Sequence, residues 1–276
     1  SSDVCSSDLL LLAAHHNDRA IFDKVWQWTR SQLQVRSDGL FGWKWSPEEK
    51  KVVDSNNATD GDLLIAWGLL RGAKRWSEPE WRKAASSILQ TVRQNMVRES
   101  RYGMLLLPGQ YGFTGSNHLT VNLSYWIFPA FTEFAEADPH PVWRQLDASG
   151  RALVAQARFG RWQLPPDWLE LAGPVPAVRQ DMDSRFAYNA LRIPLYLAWA
   201  KADPASLEPF AKFWSTHPGV WANLLDDSVD PETAPSGVQA IQVLLTSAPW
   251  PAATDRDYYT ACLYLLARMA KAELHR

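Results

Sequence analysis

Cysteine is nearly absent: Cys5 and Cys262 are the two in 276 residues. Two thiols cannot build a disulfide framework, and no CxxC brings thiols together. Histidine is scarce as well, with His15, His16, His118, His140, His217 and His275. His15 and His16 are adjacent, and adjacent side chains on a helix do not face each other. No HExxH spacing occurs, so no metal and no cofactor are expected. The sequence also lacks GxGxxG, GxxxxGK[ST] and GxSxG, the usual marks of nucleotide binding and of serine hydrolases. It has no apolar run of about 18 residues, so no membrane insertion is expected. An excess of cations is missing too: 28 Lys and Arg stand against 30 Asp and Glu, for a net charge of -2. Phosphate contacts need surplus cations, so nucleic acid is not an expected partner. Tryptophan, by contrast, is abundant, with 15 residues. Flat indole faces suit stacking, and sugar rings are one class of partner that stacks.

The hydrophobic pattern is helical. Segment 17–33 places Ile21, Val25 and Trp28 at helical spacing. Segment 60–74 is nearly all apolar, which predicts a helix buried on most sides. Segment 78–97 is amphipathic, 122–137 apolar and 142–156 mixed. Further helices are expected over 188–202, 205–214, 238–245 and 258–270, while 246–256 is too short for an outer helix. Strand-like alternation is scarce. Buried helices alternating with amphipathic ones predict an all-α toroid, an inner ring inside an outer ring, rather than a solenoid of short repeats.

Polar residues gather at the starts of the buried segments. Asp54, Ser55, Asn56 and Asn57 precede Asp60 and Asp62; Asn122, Ser124 and Tyr125 open the next; Tyr188, Asn189 and Arg192 open a third; Tyr258 and Tyr259 open the last. One such start is explained by N-capping alone. Four starts rich in Asp, Asn, Tyr and Arg suit a neutral, polyhydroxylated ligand, with carboxylates available for general acid–base work.

The stretch ATDGDLLIAWGLLRGAKRW at 58–76 resembles the signature of glycoside hydrolase family 8, departing from it at Gly68 and Gly72, where the family prefers Ser or Ala. MLLLPGQYGF at 104–113, VNLSYWIFPAF at 121–131, PPDWL at 165–169, YNALRIPLYLAWA at 188–200 and DYYTACLYLLARMA at 257–270 continue the likeness over about residues 10 to 270. The resemblance implies an (α/α)6 barrel that hydrolyses β-1,4-glucan with inversion, like the endoglucanases that accompany bacterial cellulose synthesis. It implies that Asp60 binds the distorted sugar at the cleavage site. Asp54, Ser55, Asp62, Asn122, Tyr125, Tyr188 and Arg192 are expected around the substrate. Trp43 and Trp45 are sugar platforms or loop packing, whereas Trp26, Trp28, Trp81, Trp199 and Trp214 sit at helical positions and are expected in the core. The family's general base position is Asn189 here, and a neutral amide cannot itself hold the proton; Asp183, with Asp181, is the alternative base.

The general acid of such enzymes is a Glu whose position falls near Val4, and no Glu precedes Glu48. DVCSSDL at 3–9 reads like a translated sequencing adapter. Segment 1–9 is therefore expected to be an artefact, with 10–276 a single catalytic domain missing its N-terminal helix and its export signal. Leu9–Ala14 would then pack poorly, and the chain as written would be inactive. Expected alternatives are a glucan-binding relative that no longer catalyses, or a chitosanase or xylanase of the same family. A monomer acting in the periplasm or outside the cell is expected, with β-1,4-glucan as its partner.

Overall fold

The computed structural model describes residues 5–115, 119–246 and 248–275, the side chains of Cys5 and Ser6 excepted. Ten α-helices and nine short strands lie among them. None of these helices is long and apolar enough to cross a membrane. The chain divides into two compact units: one runs to Phe113 and includes Ala130–Leu146, and the other comprises Thr114–Pro129 and Asp147–Arg276.

In the first unit, α1 (Cys5–His16), α2 (Arg19–Gln32), α3 (Thr59–Trp76), α4 (Pro79–Asn95) and α5 (Phe131–Ala137) alternate with two hairpins. These are β1 (Lys44–Ser46) with β2 (Lys51–Asp54), and β3 (Val97–Ser100) with β4 (Gly103–Leu106), both antiparallel. The all-apolar segment becomes α3, buried from Leu63 to Leu70, with α1, α4 and α5 packed around it. Leu9–Ala14 departs from its expected poor packing: Leu10 and Leu11 are fully buried, and Leu12, Ala13 and Ala14 nearly so. The reason lies on α3. Gly68 has no side chain, so α1 settles directly on it; a Cβ there would stand 2.7 Å from Leu10 Cβ and 3.0 Å from Leu11 N. At Gly72 a Cβ would fall 2.5 Å from the Phe22 ring of α2. The two departures from the family signature are thus seats for α1 and α2. Gly68→Ala is expected to destabilise the protein by about 1–3 kcal/mol, the usual cost of overpacking. Urea unfolding checks this, and a loss below about 0.5 kcal/mol would mean that α1 moves away freely.

Trp28 differs from its expected core position and is 40% exposed. α2 buries Phe22, Trp26 and Thr29. Two residues beyond Trp26 is about 200° around a helix, which turns Trp28 outward. Trp26, Trp199 and Trp214 are buried as expected, and Trp81 is half-buried.

The second unit holds most of α6 (Val142–Gln156), α7 (Arg192–Trp199), α8 (Pro204–Thr216), α9 (Ser236–Leu245) and α10 (Tyr258–Leu274). A three-stranded antiparallel sheet joins β5 (Thr120–Val121), β6 (Leu169–Glu170) and β7 (Ala177–Val178), and β8 (Arg185–Phe186) pairs with β9 (Ala222–Asn223). α7 packs on α8, α9 and α10. The segment 248–256 carries no helix, as its length implied. The segment 122–137 is not one helix. It forms two 3₁₀ turns, Leu123–Tyr125 and Phe128–Ala130, before α5. Pro129 disfavours helical backbone at Phe128 and lacks an N–H of its own.

Candidate active site

Asp60 stands in the first turn of α3. The N-cap there is Ala58, which offers no side-chain cap, so neither Asp60 nor Asp62 is spent on capping. Both carboxylates sit where the helix dipole favours negative charge. Asp62 is 1% exposed and ties three segments together. The Phe41 backbone N–H donates to its Oδ1 at 3.1 Å, and Asn57 Nδ2 donates to its Oδ2 at 2.8 Å. Asn57 Oδ1 in turn accepts from the backbone N–H of Gln110 at 2.9 Å. Asn56 repeats the device, accepting from Tyr111 N and donating to Tyr111 O at 3.0 Å. Gly109 is required beneath this lattice, because a Cβ would lie 2.5 Å from Asn57 O. Arg36 closes the knot: it pairs with Asp38 at 2.5 Å, donates to the Ser55 carbonyl and bonds the Gln110 side chain.

Burial pushes the Asp62 carboxyl up to about 8, against the pull of Asn57, Phe41 and Arg36. The folded state therefore holds a proton that the unfolded chain releases near pH 4, so this group's contribution to stability falls as pH rises from about 4 to about 8. In thermal unfolding, the advantage of the native protein over Asp62→Asn is expected to shrink across that window. A gap that stays constant or widens would contradict the buried neutral carboxyl.

The aromatic residues meet this same end of α3. The Trp43 backbone N–H donates to Asn56 O at 2.9 Å. Trp45 lies on β1, opposite Val52, and its ring meets Trp28 edge-on at 5.4 Å. Asp54 ends β2 and is exposed, as is Ser55. In this unit the Trp43 backbone, Asp54 and Ser55 lie on the segments that lead into α3 and its Asp60 and Asp62, while the Trp45 ring packs on Trp28. The structure adds Trp28, Arg36, Asn56 and Asn57 as neighbours.

In the second unit, Asn122 is fully buried and its Oδ1 caps the first 3₁₀ turn, accepting from Ser124 N at 3.1 Å and Ser124 Oγ at 2.7 Å. Tyr125 ends that turn, which packs on α7. Arg192 opens α7, donates to Tyr196 Oη at 3.2 Å, and lies over the Tyr259 ring at 5.8 Å. The Tyr259 hydroxyl donates to the Tyr188 carbonyl, and Tyr188 is half-exposed. Tyr188, Asn189, Arg192 and Tyr259 therefore form one cluster. Asp183 belongs to a bidentate pair with Arg185, at 2.8 and 2.7 Å. That hydrogen bonding holds its carboxyl below the usual range, which weakens it as a base. Asp181 is an exposed partner of Arg179.

Asp167, from PPDWL, is the residue that sequence reasoning left without a role. It is 2% exposed and organises the whole 187–190 turn. Its Oδ1 accepts from the backbone N–H of Ala187 at 2.9 Å and of Ala190 at 2.8 Å. Its Oδ2 accepts from Asn189 N at 3.2 Å and Asn189 Nδ2 at 3.3 Å. Burial raises its proton affinity, and these donors oppose the shift. The helix expected from Tyr188 starts at Arg192 instead, after a turn whose N–H groups Asp167 satisfies.

A mostly helical chain with an acidic helix start, nearby indoles and a Tyr–Asn–Arg cluster has the makings of a polysaccharide-cleaving hydrolase. The model of glycosyl hydrolases family 8 matches residues 6–270, and the chain belongs to that family. With the family comes its fold class, the (α/α)6 barrel. A probable endoglucanase of Novacetimonas hansenii is 38% identical over 96% of this chain and 81% of its own length. An endoglucanase of Cellulomonas uda is 38% identical over 87% of this chain and 68% of its own. The crystal structure of endoglucanase Cel10, a family 8 glycosyl hydrolase from Klebsiella pneumoniae, superposes with a TM-score of 0.92 at 37% identity, covering 99% of this chain and 91% of that one.

Proposed function

We propose that this protein is an inverting endo-β-1,4-glucanase acting on cellulose-like β-glucan in the periplasm or outside the cell, as a monomer. The observation that carries the reading is the ATDGD turn. Asp60 is presented from a helix start whose flanking loops are fastened to one another by Asp62, Asn57 and Arg36. Trp43 and Trp45, on the loop and strand that lead towards this turn, are assigned as indole platforms suited to the C–H faces of glucose rings. Tyr125, Tyr188 and Arg192 are assigned to substrate contact in the second unit, and Asp54 and Ser55 in the first. Inversion requires a carboxylic acid on one side of the sugar and an activated water on the other. The acid is assigned to a position near Val4, which lies outside the described residues. The test is reducing-sugar release together with loss of viscosity from carboxymethylcellulose. An endo-acting enzyme lowers viscosity early, whereas release without that drop would reject endo action.

A second reading is favoured by Asn189, since an amide does not by itself accept and keep a proton from water. In that reading the protein binds glucan without cleaving it. Calorimetric binding of cellotetraose by a protein that cleaves no β-glucosyl bond, activated substrates included, would establish this second reading.

A further inference from the structure

We propose that Asp167 is the terminal acceptor of the water proton in hydrolysis, reached through the side-chain amide of Asn189. The inference rests on the glucanase reading above. Asp167 is too deeply buried to meet water itself, so a carrier is required. Asn189 has the right placement. Its amide nitrogen faces the carboxylate at 3.3 Å, and only that orientation is allowed, because a carboxylate oxygen accepts and the amide oxygen cannot donate. The amide oxygen is therefore turned away from Asp167, on a half-buried residue, and accepts no hydrogen bond among the described residues. One face of the amide meets a buried anion and the other is open.

The proton balance follows from that geometry. As the water oxygen attacks the anomeric carbon, the bond from that carbon to the leaving group breaks. The water proton passes to Asn189 Oδ1, while a proton on Nδ2 passes to Asp167 Oδ2. Asn189 is left as its imidic acid tautomer and Asp167 as a neutral acid. After product leaves, Asp167 returns its proton to Nδ2, and Oδ1 releases the other to solvent. The neighbouring charges are compatible with this. Arg185 lies beside Asp167, Asp183 neutralises it through two hydrogen bonds, and Tyr188 adjoins the same guanidinium. The raised proton affinity of Asp167 favours acceptance.

The test uses β-cellotriosyl fluoride, whose fluoride leaves without being protonated, so that the general acid has no part in the result. Asn189→Ala and Asp167→Asn are each expected to lower kcat by about 10²-fold or more, the usual weight of a general base, with KM changed less than about threefold. The exchanged pair D167N/N189D keeps a hydrogen bond of reversed polarity and puts a carboxylate in direct reach of water. It is expected to recover at least about tenfold over D167N, and its acidic limb of kcat against pH is expected to lie about one unit or more below that of the native protein. Direction follows from chemistry: the acceptor must be ionised, so turnover falls as pH drops through its pKa. A merely structural Asp167 would leave that limb where it was. An unmoved limb in the exchanged pair, or N189A within about fivefold of native, would overturn the proposal. Native protein that binds cellotetraose but releases no fluoride would overturn the relay and leave glucan binding standing, whereas no binding would overturn both.

Discussion

Val4→Glu is expected to raise turnover of carboxymethylcellulose by about 10²–10⁴-fold, the usual contribution of a positioned general acid. The family resemblance puts the glutamic acid that protonates the departing sugar oxygen near this position, and the first Glu in the chain is Glu48. An alkoxide is a poor leaving group near neutral pH, so the unaltered chain is expected to be almost silent on polysaccharide. Fluoride needs no proton, so the same chain is expected to hydrolyse β-cellotriosyl fluoride. The gain from Val4→Glu should be confined to substrates with a sugar leaving group. Rapid cleavage of carboxymethylcellulose by the unaltered chain would sink the assignment, because a different group would then be supplying the proton.

Asp60→Asn is expected to lower kcat/KM on β-cellotriosyl fluoride by about 10²–10³-fold, the scale for removing one preorganised electrostatic partner of a transition state. As the glycosidic bond breaks, positive charge spreads over the ring oxygen and anomeric carbon. A carboxylate beside that sugar stabilises the charge, and an amide of the same shape does not. α3, which carries Asp60, is fixed by Gly68 against α1 and by Gly72 against α2, so the residue is held before substrate arrives. Preorganisation of this kind makes a single charge matter. Asp60→Asn is also nearly isosteric, so thermal stability should change little. A variant within about tenfold of native in kcat/KM would place the sugar elsewhere.

The helical part of the fold was readable because α4 and α6 carry their burial pattern in residue type at a 3.6-residue period, while α3 is apolar almost throughout. The misreadings share a different cause. Pro129 breaks 122–137 locally, and that was visible in the sequence. The fastening of the turn before α7 was not, because the group that holds it lies some twenty residues upstream. Asp167 acts on backbone N–H groups, and backbone groups are the same at every residue. Nothing in the identity of Ala187 or Ala190 announces them as partners. Asp60 was singled out because a motif names it. Asp62 sits in the same motif, yet its work of joining Phe41 and Asn57 becomes apparent only in three dimensions. Trp28 was placed in the core through its helical spacing with Ile21 and Val25, whereas α2 turns Ile21 and Trp28 outward and buries Phe22, Trp26 and Thr29.

The lattice of Asn56 and Asn57 holds the 109–111 loop by its main chain, leaving the Tyr111 side chain 65% exposed. Such a grip fixes the path of a loop while staying indifferent to what the loop displays. Position 111 is consequently open to variation at little structural cost, by natural drift or by saturation mutagenesis. Position 109 is closed to the same exploration, since only glycine fits beneath the carbonyl of Asn57.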